Sequence, residues 1–216
     1  MRAAATPELL STKPRLRGVI HQWSALVAVV AGAILVAATP AGPARWATLV
    51  YALSLVGLLG VSATYHRVSW RAGPRRWMRR LDHSAIFVLI AGTFTPLSLA
   101  SREHQTLALA LIWGAALLGT IKSMLWAGAP KALTALLYIA MGWSGVLLAP
   151  AIAAAAGGIG LLLLVAGGVL YSVGALAYVL KRPNPVPGVF GYHEVFHALV
   201  VLAAALHFAL IVRAVV

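Results

Sequence analysis

The sequence predicts an all-α, polytopic membrane protein, a bundle of seven transmembrane helices with a cytoplasmic N-terminus. Of the 216 residues, 62% are hydrophobic and 10% are charged, whereas a soluble domain is about 45–50% apolar and about 25% charged. Apolar segments long enough to cross a bilayer recur along the chain, and basic residues concentrate in alternate connections between them. The absence of cysteine excludes disulfides and thiolate metal sites.

Seven segments have the roughly 20 apolar residues that a membrane-spanning helix needs. They lie at residues 18–38, 46–66, 82–100, 105–126, 131–151, 157–180 and 191–213. Stretches rich in glycine and proline separate most of them. No hydrophilic stretch is long enough for a second domain. We therefore expect one membrane domain at residues 18–216, preceded by a basic cytoplasmic tail at residues 1–17.

The net charge of +13 is distributed unevenly along the predicted topology. Fourteen of the 17 basic residues lie before the first span or in the connections after spans 2, 4 and 6, and only Arg45, Arg102 and Arg213 lie on the other side. The positive-inside rule then places the N-terminus in the cytoplasm and the C-terminus outside the plasma membrane. A chain this hydrophobic is not expected to bind nucleic acid. Trp70 and Trp77, among the arginines after span 2, are expected to anchor that loop at the membrane surface.

The chain has only four carboxylates. Glu8 falls in the N-terminal tail and Glu103 in an outer connection, whereas Asp82 and Glu194 fall at the predicted starts of spans 3 and 7, each beside a histidine. An ionisable group at membrane depth is costly, which makes a functional role the first hypothesis. Asp82 also suits the N-cap of a helix, and that structural role remains an alternative.

Histidines from two further helix ends are expected at the same depth. Ser62 and His66 share one face at the end of span 2. His193 and His197 begin span 7 at the i, i+4 spacing that lets two imidazoles bind one metal. Three histidines with one open position are typical of a catalytic zinc site. We therefore predict a metal site formed by His66, His193 and His197, with Asp82 close to it.

The remaining histidines are expected to lie outside the metal-binding set. His21, near the same depth in span 1, is a candidate outer partner of the site. A structural role is expected for His83, His104 and His207. His207 in particular lies about 21 Å along the helix from His193.

Four stretches of the chain together resemble the hemolysin III family, which belongs with the progestin and adipoQ receptors. They are the motif at residues 62–66, Asp82, residues 91–96 with a proline expected to kink the helix, and the motif at residues 191–197. The resemblance implies a zinc ion near the cytoplasmic face, held by His66, His193 and His197. It further implies that Asp82 hydrogen-bonds a zinc-bound water and that Ser62 lies beside it.

The resemblance also implies a chemistry. The superfamily includes alkaline ceramidases, which by analogy points to zinc-dependent hydrolysis of a lipid amide or ester in membrane-lipid homeostasis, with membrane lipids as partners. Asp82 would then act as general base, and Ser62 Oγ would stabilise the developing oxyanion. The family name implies cytolysis, which none of these residues explains. Where the family often has an acid and an asparagine ahead of the span 1 histidine, this chain has the residues 14–20, PRLRGVI.

Other functions compete with this hypothesis. One is a receptor or sensor whose zinc is structural. Another is a membrane protease, because residues 193–197 match the zincin pattern with Glu194 as general base; Glu194 is alternatively an outer acceptor for a ligating imidazole. A retinal protein is excluded, since all four lysines lie at the ends of spans. Gly160, Gly167 and Gly174 recur every seven residues in span 6 and predict close helix packing within the bundle. The sequence indicates neither the substrate nor the oligomeric state.

Overall fold

A computed structural model describes residues 13–100 and 105–216. Within these ranges the fold is all-helical, with no strand and one isolated bridge between Val186 and Phe190. The helices are α1 (Val19–Ala38), α2 (Pro43–Arg67), α3 (Ala72–Ser98), α4 (Gln105–Leu125), α5 (Lys131–Trp143), a 3-10 helix (Ser144–Leu148), α6 (Ala149–Leu180) and α7 (Tyr192–Val215). The predicted all-α class is therefore confirmed. Arg2, Glu8, Arg102, Glu103 and His104 fall outside the described residues.

Six stretches of the described chain are long and apolar enough to cross a membrane, and one of them, Lys131–Leu180, has 50 residues. A straight helix of that length would extend about 75 Å, more than twice the thickness of a bilayer core. The stretch instead has a non-helical residue at Gly157 (φ 67°, ψ −170°). Trp143 Nε1 donates a hydrogen bond to Ser172 Oγ (2.9 Å), and Gly145 faces Leu164. Its two halves therefore pack against each other as a hairpin that turns at Gly157.

Two predicted boundaries differ from the structure. Helix α3 begins at Ala72, ten residues before the expected start of the third span, because the arginine-rich residues 72–81 form an amphipathic extension that a hydropathy pattern does not detect. Asp82 consequently lies inside the helix and not at its start, so the capping alternative is wrong. Between spans 5 and 6 the chain turns at Gly157, as the glycine pair at residues 157–158 predicts, whereas residues 152–156, between the two expected spans, are helical.

Close packing between neighbouring helices depends on small residues. A Cβ atom at Gly92 would overlap Ser54, and one at Gly119 would overlap the ring of Phe87, so α3 lies close to both α2 and α4 at these points. The three glycines of the α6 stripe contact α7 or their own helix, with Gly167 against His207 and Gly174 against Phe196. The stripe therefore packs inside the bundle, as predicted. Large apolar side chains on the outer faces of α1 and α4 remain exposed, as expected for surfaces that contact lipid.

Candidate metal centre

Three buried histidines meet where the end of α2 approaches the start of α7. His66 occupies the last turn of α2, and His193 and His197 occupy the first two turns of α7. The Nε2 atoms of His66 and His193 are 3.2 Å apart, and one ring nitrogen from each of the three histidines lies within 4.8 Å of the others. The structure thus brings together the three histidines that the sequence placed at one membrane depth.

The geometry of this cluster is compatible with zinc. Two histidine nitrogens bound at about 2.0–2.1 Å around a tetrahedral ion are about 3.3 Å apart, close to the separation of the His66 and His193 nitrogens. Buried imidazoles are good ligands for zinc and related divalent metals. Among the described residues, only the ligand atoms of these three histidines converge in this way.

Asp82 lies beside the cluster without belonging to the converging set. Its Oδ2 atom is 3.8 Å from His66 Nε2, and the side chain is buried. Ser62, one turn before His66 on α2, is also buried and lines the same cavity as Asp82. The structure therefore brings both predicted catalytic residues to the same cavity wall as the histidines.

His21 contacts the cluster by ring stacking. Its imidazole lies parallel to that of His197, with 3.8 Å between ring centroids and 7° between the planes. The residue is buried, and neither ring nitrogen has a hydrogen-bond partner among the described residues. His21 is thus an outer neighbour of the cluster, as the sequence suggested, but the sequence did not predict that it stacks on His197. His207 lies apart in α7, with Nε2 3.3 Å from the carbonyl oxygen of Leu164.

Glu194 does not face the histidines. Arg17 Nε donates to its Oε1 atom, and the backbone N–H of Gly191 donates to Oε2 at 2.8 Å. The side chain is 1% exposed. These contacts favour a role for Glu194 in capping α7 and pairing with Arg17 over the competing hypotheses of a zincin base or an acceptor for a ligating imidazole. The sequence prediction assigned no role to Arg17, its partner.

The cluster opens into a large cavity of about 1570 Å³, beyond the roughly 300–1,000 Å³ typical of small-molecule sites. One end is bordered by exposed arginines, including Arg75 and Arg76. The other end reaches Leu148, Ile152 and His207 deep among the helices. The histidines and Asp82 lie on its wall, so a molecule in the cavity has access to the candidate metal centre.

An all-helical bundle with six apolar membrane-length stretches and an internal tri-histidine centre defines a multi-pass membrane protein. The family model described as haemolysin-III related matches residues 10–208, and the chain belongs to this family. It is 30% identical over 161 residues to the Hemolysin-3 homolog of Bacillus subtilis (strain 168), covering 74% of this chain and 72% of that protein.

Eukaryotic proteins are also similar to the chain. The Heptahelical transmembrane protein ADIPOR2 of Oryza sativa subsp. japonica is 32% identical over 189 residues, which covers 77% of this chain and 81% of that protein. The Monocyte to macrophage differentiation factor of Homo sapiens is 30% identical over 166 residues, with coverage of 74% and 66%. The predicted resemblance to hemolysin III and the progestin and adipoQ receptors is confirmed.

Proposed function

We propose that this protein is a zinc-dependent hydrolase of lipid amides or esters that acts in the plasma membrane. The main support is the buried set of three histidines with a carboxylate beside it on the wall of a large cavity. Structural zinc sites are almost always closed by four protein ligands, whereas catalytic sites keep three and leave one position open. The three converging histidines fit the catalytic arrangement.

We further propose seven membrane crossings, with residues 1–17 forming a cytoplasmic tail ahead of a single domain at 18–216. The hairpin within Lys131–Leu180 supports two crossings in that stretch. Basic residues precede α1 and follow α2, α4 and α6, on one side of a seven-helix topology. A relative is itself named as heptahelical.

In this mechanism His66, His193 and His197 hold the ion. When bound, zinc supplies a Lewis acid that polarises a carbonyl group and acidifies water. Asp82, 3.8 Å from His66, accepts the proton of the attacking water and later returns it to the leaving group. Ser62, buried one turn before His66 on the same cavity wall, donates to the developing oxyanion.

Metal content and turnover of purified variants test this proposal. His193→Ala is expected to lose zinc and activity. Asp82→Asn is expected to retain zinc and to lose about 100-fold or more in turnover of a panel of lipid amides and esters. His207→Ala, on the same helix but outside the cluster, is the control for zinc content. Unchanged zinc in His193→Ala would overturn the ligand assignment, and full turnover by Asp82→Asn would overturn the role of Asp82.

A receptor or sensor with a structural zinc is the second candidate. It is favoured by the way the centre ties elements together: His21 of α1 stacks on His197 of α7, which lies against His66 of α2. A wild-type protein that retains zinc but hydrolyses no lipid of the panel would support this function. The protease hypothesis is not retained, since Glu194 contacts Arg17 and Gly191. No feature of the described residues supports cytolysis, which is implied only by the names of relatives.

A further inference from the structure

At the basic end of the cavity, half-buried basic side chains outnumber the carboxylates that could pair with them. Five half-buried basic residues line it: Arg17, Arg79, Arg80, Lys122 and Lys131. Asp82 and Glu194 are the only carboxylates among the described residues, and Glu194 is already paired with Arg17. At least four half-buried cations at this basic end, the cavity mouth, therefore have no carboxylate as a direct partner.

The positive-inside rule does not account for these positions. It requires lysine and arginine near the ends of spans, and exposed residues such as Arg71 and Arg182 meet that requirement without lining the cavity. Burying a cation costs free energy unless it finds a partner. Arg80 lies over the ring of Trp77 at 4.7 Å, yet its Nε atom is buried and has no hydrogen-bond acceptor among the described residues.

Lys131 is held in a similar way. Its Nζ atom lies 4.5 Å from the ring centre of Tyr178 and 5.8 Å from that of Tyr192, at the entrance to the histidine cluster. Outside the helices, partial burial and then the charges of Arg17, Arg67 and Arg75 lower the pKa of Lys13, which also lines the cavity. The mouth is thus an electropositive surface with hydrogen-bond donors that lack an anion.

The deep end of the same cavity is apolar. Leu89, Phe94, Leu148, Ile152 and Leu164 line it. Both His193 and His207 contribute to the wall, and their separation of 14 positions corresponds to about 21 Å along α7. The cavity therefore runs from a cationic mouth, past the histidines, into a long apolar interior.

We propose that this cavity binds an anionic lipid, whose phosphate-bearing head group is held by Arg79, Arg80 and Lys131 and whose acyl chain fills the apolar interior. Arginine presents paired N–H donors that match the oxygens of a phosphate group. The hydrolysis of this lipid rests on the proposed function, and the inference names the class of lipid that would be the substrate. The binding itself does not depend on zinc.

Lipid retention by the full-length protein tests the proposal. Purified protein is loaded from mixed micelles containing equal amounts of phosphatidylglycerol and phosphatidylcholine, and retained lipid is counted by native mass spectrometry. We expect a preference of about tenfold or more for phosphatidylglycerol. Arg80→Gln and Lys131→Gln should each reduce it by about tenfold, the loss expected for a hydrogen bond to a charged group. Arg71→Gln and Arg182→Gln, from the same face but outside the cavity, should leave it unchanged.

Three results would overturn the inference. Equal retention of the two lipids would remove the role of the anion. Equal losses in the control variants would reduce the effect to general attraction between a basic face and anionic lipid. Displacement of the lipid by an equal concentration of glycerol 3-phosphate would show a site for a free phosphate and not for a lipid.

A further variant separates this inference from the proposed function. His193→Ala is expected to retain phosphatidylglycerol as the wild type does, although it loses zinc, and loss of lipid retention in this variant would count against a head-group site formed by Arg79, Arg80 and Lys131. Wild-type protein that retains phosphatidylglycerol without hydrolysing it would support the binding site and would contradict the proposed function alone.

Discussion

Replacement of Arg17 by methionine is expected to destabilise the protein more than its position near the chain terminus suggests. Arg17 Nε contacts Glu194 Oε1, and the two side chains are 19% and 1% exposed. Methionine fills much of the same volume but carries no charge, so Glu194 would remain buried as an unpaired carboxylate. The pair lies 177 residues apart in sequence and joins the N-terminal segment to the start of α7.

The size of the effect follows from the unequal burial of the partners. Removing one member of a buried ion pair costs about 3–5 kcal/mol. Because Arg17 is partly exposed, we expect the lower end, about 3 kcal/mol, for Arg17→Met. Glu194→Gln should cost less, about 1–2 kcal/mol, since water can reach Arg17 and glutamine still accepts from the Gly191 N–H. The double variant removes both charges, so its cost should fall below the sum by about 1 kcal/mol or more.

Reversible unfolding in mixed micelles with increasing denaturing detergent measures these free energies. Arg15→Met is the matched control, because Arg15 is exposed and lies two residues away on the same segment. Its free energy of unfolding should change by less than about 0.5 kcal/mol. Equal effects of Arg15→Met and Arg17→Met, or strictly additive effects in the double variant, would refute the assignment of a buried, coupled ion pair.

Three further outcomes are expected. In Gly119→Ala the new methyl group would overlap Phe87 and lower the free energy of unfolding by about 1–3 kcal/mol. Gly114→Ala, in open space on the same helix, should be neutral or stabilising by up to about 1 kcal/mol. Equal effects of the two substitutions in thermal unfolding would contradict this packing. Gly18→Ala introduces a side chain at φ +80° and 2.7 Å from His66 Cβ, so zinc content measured by atomic emission should fall below that of the wild type. Free zinc at 100 times its dissociation constant should stabilise the protein by about 2.7 kcal/mol, and identical melting temperatures with and without a chelator would argue against a zinc site.

Much of the candidate site could be predicted because its three histidines come from helix ends. The i, i+4 spacing of His193 and His197 needs only helical geometry, and the alternation of long apolar spans places His66 at the same depth. Span ends were predicted within a few residues where apolar runs are long, as in α1 and α7. The start of α3 was not predicted, since its first turns are amphipathic and basic.

The contacts that surround the site depend on tertiary packing and have weaker signals in the sequence. The stacking of His21 on His197 and the pairing of Arg17 with Glu194 join residues about 177 positions apart, and hydrophobic periodicity carries no information on such pairs. One local signal was available: a glycine followed three residues later by glutamate at the start of a helix suits an N-terminal cap. Applied to Gly191 and Glu194, it would have favoured a capping role over a catalytic one.

The hairpin at Gly157 leads to a decisive test of the number of crossings. If Lys131–Leu180 crossed the membrane once, the connections before and after it would lie on opposite sides; if it crosses twice, they lie on the same side and Gly157 lies on the other. The chain has no cysteine, so a single introduced cysteine provides a unique label. We expect a membrane-impermeant maleimide to label Ala155→Cys in intact cells, and Gly128→Cys and Pro185→Cys only in inverted vesicles, because basic residues flank both of these exposed connections. Labelling of Gly128→Cys and Pro185→Cys from opposite sides would contradict two crossings in this stretch.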